Sequence, residues 1–206
     1  MRSLKELELV LSRLQTFKNP SLSLEQYATP SAIAAEWAWS MALRGEVAGK
    51  VILDAACGPG IIGLGLLLLG AKKVYFVDKD KGALQLCREN YRQIKEEYEV
   101  GEAVWVLQDI SLFETKVDAV VQNPPFGTKQ QHADKKFLEQ AFSLSSLVYS
   151  MHKWSTRKFV EAISGDLGFS ISGVWKFDFP IPAAFTFHRK PRVKVEVGLW
   201  RMVRSR

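Results

Sequence analysis

Lys50-Val51-Ile52-Leu53-Asp54-Ala55-Ala56-Cys57-Gly58-Pro59-Gly60-Ile61-Ile62-Gly63 is the stretch that decides the fold. Its first six residues are a short apolar strand. Glycines then interrupt it, and the apolar run over residues 60–69 resumes as a helix. The glycines let the backbone turn tightly and approach a ligand without interference from a Cβ atom. An acid, Asp54, stands at the end of the strand, four residues before the first glycine.

Downstream the strand–helix alternation continues. Lys73–Val77 is a strand, and Asp80 caps a long polar helix that ends near Tyr98. Ala103–Leu107 and Val117–Gln122 are further strands, apolar throughout rather than alternating, as strands of a parallel sheet covered on both faces are. Thr128–Lys136 reads as a polar loop on the substrate side. Then come an apolar segment from Leu144 to Ser150, a helix around Thr156–Ile163, and two longer strands near 168–178 and 193–203. Pro180, Pro182 and Pro191 fall between those two strands, which form a closing hairpin. Upstream, Leu4, Leu7, Val10, Leu11 and Leu14 recur at helical spacing, so a helix is expected over residues 4–16, ended by Asn19-Pro20. Thr29-Pro30 reads as an N-cap followed by proline at the first helical position, opening a helix to about Arg44. The expected fold is α/β: a Rossmann-like, seven-stranded, mostly parallel sheet with helices on both faces and a C-terminal antiparallel hairpin. One domain is expected over residues 1–206, with N-terminal helices to residue 45 and the core over 46–206.

The composition suits that reading. A chain of 206 residues with 47% hydrophobic content can bury a substantial core. The amino-terminal residues are charged throughout, and the apolar run Ile61–Leu69 has two glycines and is too short to cross a bilayer, so a cytoplasmic protein is expected. Cys57 and Cys87 belong to no CxxC or Cys/His cluster, and His132, His152 and His188 are scattered, so no metal site is expected. The net charge of +6 is concentrated at the carboxyl end. From His188 onward, Arg189, Lys190, Arg192, Lys194, Arg201, Arg204 and Arg206 face one acid, Glu196. A cluster of this kind attracts phosphate backbones, although a solvated basic tail would have the same composition.

In an open parallel sheet, ligands bind beyond the carboxyl ends of the strands. Four such ends carry polar residues here: Asp54 with its glycine turn, Asp78, Asp109 and Asn123. Asp78 suits the two hydroxyls of a ribose, and Asp109 could accept a hydrogen bond from an adenine amino group. Gly58-Pro59-Gly60-Ile61-Ile62-Gly63 also satisfies GxGxxG, the dinucleotide pattern. Asp54 weighs against a pyrophosphate, which gains from neutral or donor groups. An acid favours S-adenosyl-L-methionine, whose sulfonium and ammonium are cationic. Taken singly, Asp80 and Asp109 read equally well as caps, and Asp118 as a loop acid; their recurrence at consecutive strand ends is what calls for a ligand.

Asn123-Pro124-Pro125-Phe126 directly follows a strand. Two prolines fix φ and remove two backbone donors, which leaves a stiff loop rich in acceptors. The Asn123 side-chain oxygen and the Pro124 carbonyl could hold the two N–H groups of a planar amino nitrogen, with Phe126 stacking on a flipped base. An isolated Asn-Pro-Pro-aromatic could equally be a proline turn with a core phenylalanine.

Together with the order of these motifs, Gln26-Tyr27-Ala28-Thr29 and Phe177-Asp178-Phe179-Pro180-Ile181-Pro182 through Phe187-His188-Arg189-Lys190 resemble the methyltransferase-like protein 5 family, over residues 3 to 203. That resemblance implies methylation of N6 of an adenosine in small-subunit ribosomal RNA. It places Gln26, Thr29, Asp54, Gly58, Gly60, Asp78, Asp109, Ile110 and Asn123 around S-adenosyl-L-methionine. It assigns adenine to Asn123–Phe126 and implies a small activator protein along the sheet edge. Phe187, His188, Arg189, Lys190 and Arg192 are expected to contact RNA, where bases stack and phosphates need cations. Ala56 and Pro59 depart from the family's usual turn. The rival readings are a protein-glutamine N5-methyltransferase, whose amide nitrogen is also planar, and a non-catalytic RNA-binding protein. The first usually needs a recognition domain for which the residues before Lys50 leave little room.

Overall fold

The computed structural model describes residues 1–18, 20–21, 25–125, 133–182 and 192–205. Helices α1 (Leu4–Ser12) and α2 (Ser31–Leu43) precede β1 (Val51–Ala55), α3 (Ile61–Leu68), β2 (Lys73–Asp78), α4 (Lys81–Glu97) and β3 (Glu102–Leu107). Then follow β4 (Ala119–Gln122), α5 (Ala133–Leu144), β5 (Leu147–Lys153), α6 (Arg157–Asp166), β6 (Phe169–Pro182) and β7 (Arg192–Arg204). The seven strands form one sheet in the order β3-β2-β1-β4-β5-β7-β6. Neighbours from β3 to β5 are parallel, and β7 runs antiparallel to both β5 and β6.

Why these strands are apolar throughout follows from their two covered faces. Along β1, Ile52 joins the cluster built with α1 to α4, while Leu53 and Ala55 join the cluster built with α5 and α6. Along β4, Ala119 and Val121 belong to the first cluster and Val120 to the second. Alternate side chains point to opposite faces of a strand, so both parities must be apolar when both faces are covered. Among the described residues, no helix is long and apolar enough to cross a membrane.

Four local expectations need correction. α1 stops at Ser12 rather than reaching residue 16. Asn90 binds the Gln15 backbone at both its N–H (2.8 Å) and its carbonyl (2.9 Å), which holds it out of the helix. Thr29 does not cap α2; Pro30 occupies the cap position, with no side-chain bond to the helix. The segment read as a polar loop to Lys136 is, from Ala133, the first turn of α5. Pro180 and Pro182 lie inside β6 rather than between strands. β6 is a sheet edge, and two residues of equal parity can both direct their missing N–H outward, where no ladder bond is lost.

The glycine turn contains one non-glycine residue in the left-handed region, Ala56, with φ of 54°. A Cβ there crowds the following carbonyl. Ala56→Gly should therefore raise stability by about 0.5–1 kcal/mol, measured as a higher denaturation midpoint. An unchanged or lower midpoint would contradict the strain assigned to this position.

Candidate active site

The strand order reverses between β1 and β4, and at their carboxyl ends a cavity of about 510 Å³ opens. Several segments build its walls. The glycine turn contributes Ala56, Cys57, Gly58 and Pro59; the ends of β2 and β3 contribute Asp78, Lys79, Asp80, Asp109 and Ile110. The stretch before α2 contributes Glu25 to Thr29, and Asn123 and Pro125 close the side toward β4.

Asp78 organises the turn. Its Oδ2 accepts from the Gly58 amide and its Oδ1 from the Asp80 amide, both at 2.9 Å. Burial raises its pKa, against the lowering effect of those two amides. Each oxygen keeps a second lone pair, so a ribose can still be held. Gly58 has φ of 54°, a conformation that aims its N–H at Asp78 and is natural to glycine. Asp80 caps α4 through Ala83 at 2.8 Å and accepts from Gln26 Nε2 at 3.2 Å. Gln26 thereby ties the segment before α2 to the end of β2.

Asp54 and Gly60 stand behind the cavity rather than in its lining. Asp54 is 1% exposed, and its Oδ2 accepts from the Gly63 amide at 2.9 Å, locking the first turn of α3 onto β1. A Cβ on Gly63 would lie 2.4 Å from the Phe76 ring and 2.8 Å from that carboxylate, so the helix can approach only as glycine. Gly60 faces Cys87 at a similarly close approach. Asp109 Oδ1 accepts from the Ser111 amide and hydroxyl at 3.0 and 2.8 Å, so it caps a turn as well as lining the cavity. Asp118 accepts from the Val51 amide and has a structural role.

Asn123 leaves β4 with its side chain poised between two environments. Nδ2 donates to Thr29 Oγ1 at 3.0 Å. Oδ1 is buried and has no hydrogen-bond partner among the described residues. A buried acceptor left in this state costs about 1–3 kcal/mol, and Gln122 Oε1 on the preceding residue shares it. Pro124 is buried beside it. Phe126, Phe187, His188, Arg189 and Lys190 lie outside the described residues, as does the side chain of Arg192. Sequence reasoning missed Phe137, Glu139 and Gln140, which α5 places on the cavity wall together with Lys136, read from the sequence as part of a substrate-side loop. The spacing of the buried Leu138, Ala141 and Phe142 was the available signal for that helix.

Among the described lining residues, Glu25, Asp78, Asp80, Asp109 and Glu139 outnumber Lys79 and Lys136. Such a wall favours a cationic ligand over a pyrophosphate. Together with the strand order and the tetrapeptide after β4, this defines a class I methyltransferase. Residues 40–146 match the methyltransferase small domain family. The rRNA N(6)-adenosine-methyltransferase METTL5 of Danio rerio is 34% identical over 205 residues, covering 96% of this chain and 97% of its own. The Drosophila melanogaster Mettl5 enzyme is 36% identical over 202 residues, covering 96% and 95%. The crystal structure of PH1948 from Pyrococcus horikoshii is 39% identical, covers both chains fully and superposes with a TM-score of 0.90. The chain belongs to the METTL5 family of methyltransferases.

Burial has a consequence for stability. In the unfolded chain Asp54 titrates near its ordinary 3.8, whereas burial raises it to about 7 in the fold, against the lowering effect of the Gly63 amide. The folded state holds this proton more tightly, so its stability contribution is complete at low pH and is lost as pH rises from about 4 to about 7. Asp54→Asn removes that titration. Thermal unfolding should show the variant gaining on wild type across this window and holding a constant difference above it; parallel curves would contradict it.

Proposed function

We propose that this protein transfers a methyl group from S-adenosyl-L-methionine to N6 of an adenosine in RNA, with small-subunit ribosomal RNA as the substrate. The observation that carries the reading is the buried Asn123 Oδ1, without a hydrogen-bond partner among the described residues, beside an acid-lined cavity at the end of β4. The whole-length relatives named as rRNA N6-adenosine methyltransferases support the choice of substrate.

The residues present suit the cofactor. Asp78 would hold its ribose; Asp109 and Ile110 would line its adenine; Gly58 would let the chain pass close to it, and Gln26 and Thr29 would close over it. When bound, S-adenosyl-L-methionine supplies a methyl group made electrophilic by its sulfonium charge. The chain's own contribution is positional and electrostatic. An adenine amino nitrogen is a poor nucleophile because its lone pair is delocalised into the ring. Asn123 Oδ1 accepts one of its N–H bonds and the Pro124 carbonyl the other. This holds the nitrogen facing the methyl group and favours tetrahedral character as the lone pair localises. Phe126 would stack on the base. The methylated nitrogen, cationic after transfer, would lose its extra proton to solvent, so no strong base is required.

The proposal places a small activator subunit on β3. That strand is a sheet edge with Leu107 54% and Leu112 67% exposed nearby, whereas the other edge, β6, is blunted by Pro180 and Pro182. The basic residues from Arg189 to Arg192 are proposed to hold RNA backbone, which implies binding that weakens steeply with salt.

Two substitutions separate the roles. Asn123→Ala should reduce methyl transfer by at least about a hundredfold with cofactor affinity unchanged, since one preorganised partner of the reacting group is lost. Asp78→Ala should weaken cofactor binding roughly tenfold or more, measured by calorimetry. Full activity in Asn123→Ala would refute the assignment.

A further inference from the structure

The carboxyl end of β5 carries three cations whose charge the fold does not neutralise. From Gln140 to Val160 the sequence has no acid, and Lys153, Arg157 and Lys158 fall within one short part of that stretch. They occupy the corner between β5 and α6: β5 ends at Lys153, Trp154–Thr156 is a single helical turn, and α6 starts at Arg157. The amino end of a helix carries partial positive charge, so cations in a first turn cost the fold something rather than stabilise it. Among the described residues no ion pair involves any of the three. Other basic residues nearby are differently placed. Lys176 and Lys194 pair with Glu196 and Asp178 at 3.0 and 3.2 Å, Arg201 is held by Glu46, and Arg204 donates to the Phe142 carbonyl.

Their place in the sheet gives these cations a task. β4 and β5 are parallel neighbours with Gln122 opposite Ser150, so Lys153 lies just beyond the level of Asn123. At ordinary strand spacing and rise, roughly 8–10 Å separates the two backbones. On its other side β5 pairs with β7 only as far as Lys153 opposite Val197, while the β6–β7 ladder continues to Pro182 opposite Arg192. The hairpin therefore overhangs the end of β5 by roughly 17 Å, and the cations stand between it and the tetrapeptide. Arg157 is steadied there: its guanidinium is 5.7 Å from the Trp154 ring centroid, and Trp154 stacks on the buried Trp200 at 5.9 Å. We infer that Lys153, Arg157 and Lys158 form an RNA-docking surface that grips backbone phosphates next to the target adenosine. The inference rests on the RNA reading above and adds to it a surface distinct from Arg189–Arg192. A polyanion whose base enters at Asn123 brings its neighbouring phosphates within reach of the end of β5, and unneutralised cations there are the complementary charge.

The test combines Lys153→Gln, Arg157→Gln and Lys158→Gln in the full chain. Lys72→Gln, Arg92→Gln and Lys95→Gln, at three exposed positions beside β2 and on α4, make an equal-charge control. Methylation and binding of small-subunit ribosomal RNA transcribed in vitro are measured over a salt series, with cofactor affinity by calorimetry as the check on folding. The first variant should raise KM for RNA and weaken RNA binding about tenfold or more at about 0.15 M salt, with kcat at saturating RNA within about twofold. Its plot of log affinity against log salt should be shallower than wild type by about two, whereas the control should match wild type. Lys158→Gln alone, at an exposed site, should change that slope by about 0.7, which keeps the test open if the triple variant does not fold. Unchanged KM and slope, with wild type methylating adenosine, would overturn the inference and leave the RNA reading standing. So would an equal loss in the control, or a fall in kcat without a rise in KM. A wild type that binds no RNA and methylates only protein would remove both.

Discussion

The reversal of strand order at β1 is the constraint on which the rest depends. The sheet grows one way from β1 through β2 to β3 and the other way through β4 to β5. Parallel crossovers are right-handed, so connections running in opposite directions must pass over opposite faces. α3 and α4 accordingly cover one face and α5 the other. Beyond the carboxyl ends of β1 and β4 the chain departs to both sides, and a crevice is left that neither set of helices fills. The glycine turn, Asp78 and Asn123 all sit at its rim because they lie at or just after the carboxyl ends of neighbouring strands.

Buried polar groups hold that rim in shape. Asp54 binds α3 to β1; Asn90, fully buried, binds Pro59 in the turn and Gln15 beyond α1. Behind the tetrapeptide, Gln122 donates to Ser150, which is 2.6 Å from His152. Burial depresses the pKa of His152 to about 3, so it stays neutral there at physiological pH. Each of these groups is costly to bury and each is tied to a neighbour, which is how loops reach a defined geometry beside an open cavity.

The strands, the turn and the acids at strand ends were legible because each is a local pattern: apolar runs, glycines, and a polar residue where the run stops. Elements whose structure depends on distant partners were less so. α1 ends early because Asn90, on α4, takes the backbone of Gln15, and no residue near Gln15 announces it. α5 was hidden behind the polar stretch that precedes it. Pro180 and Pro182 read as breaks because a sequence does not state which strand is an edge. Asp54 was read as an acid of the cofactor pocket, whereas its carboxylate is bonded to the Gly63 amide at the start of α3, behind the cavity lining. Thr29 looked like a cap by position, and only the fold brings it to Asn123.

The central claim is that the Asn123 oxygen awaits an amino group of RNA adenosine. The most direct measurement is transfer of isotopically labelled methyl from S-adenosyl-L-methionine to unmodified ribosomal RNA, with protein extract and DNA in parallel, followed by digestion and mass spectrometry. The account predicts label in N6-methyladenosine from the RNA. Label confined to glutamine in the protein extract would contradict it.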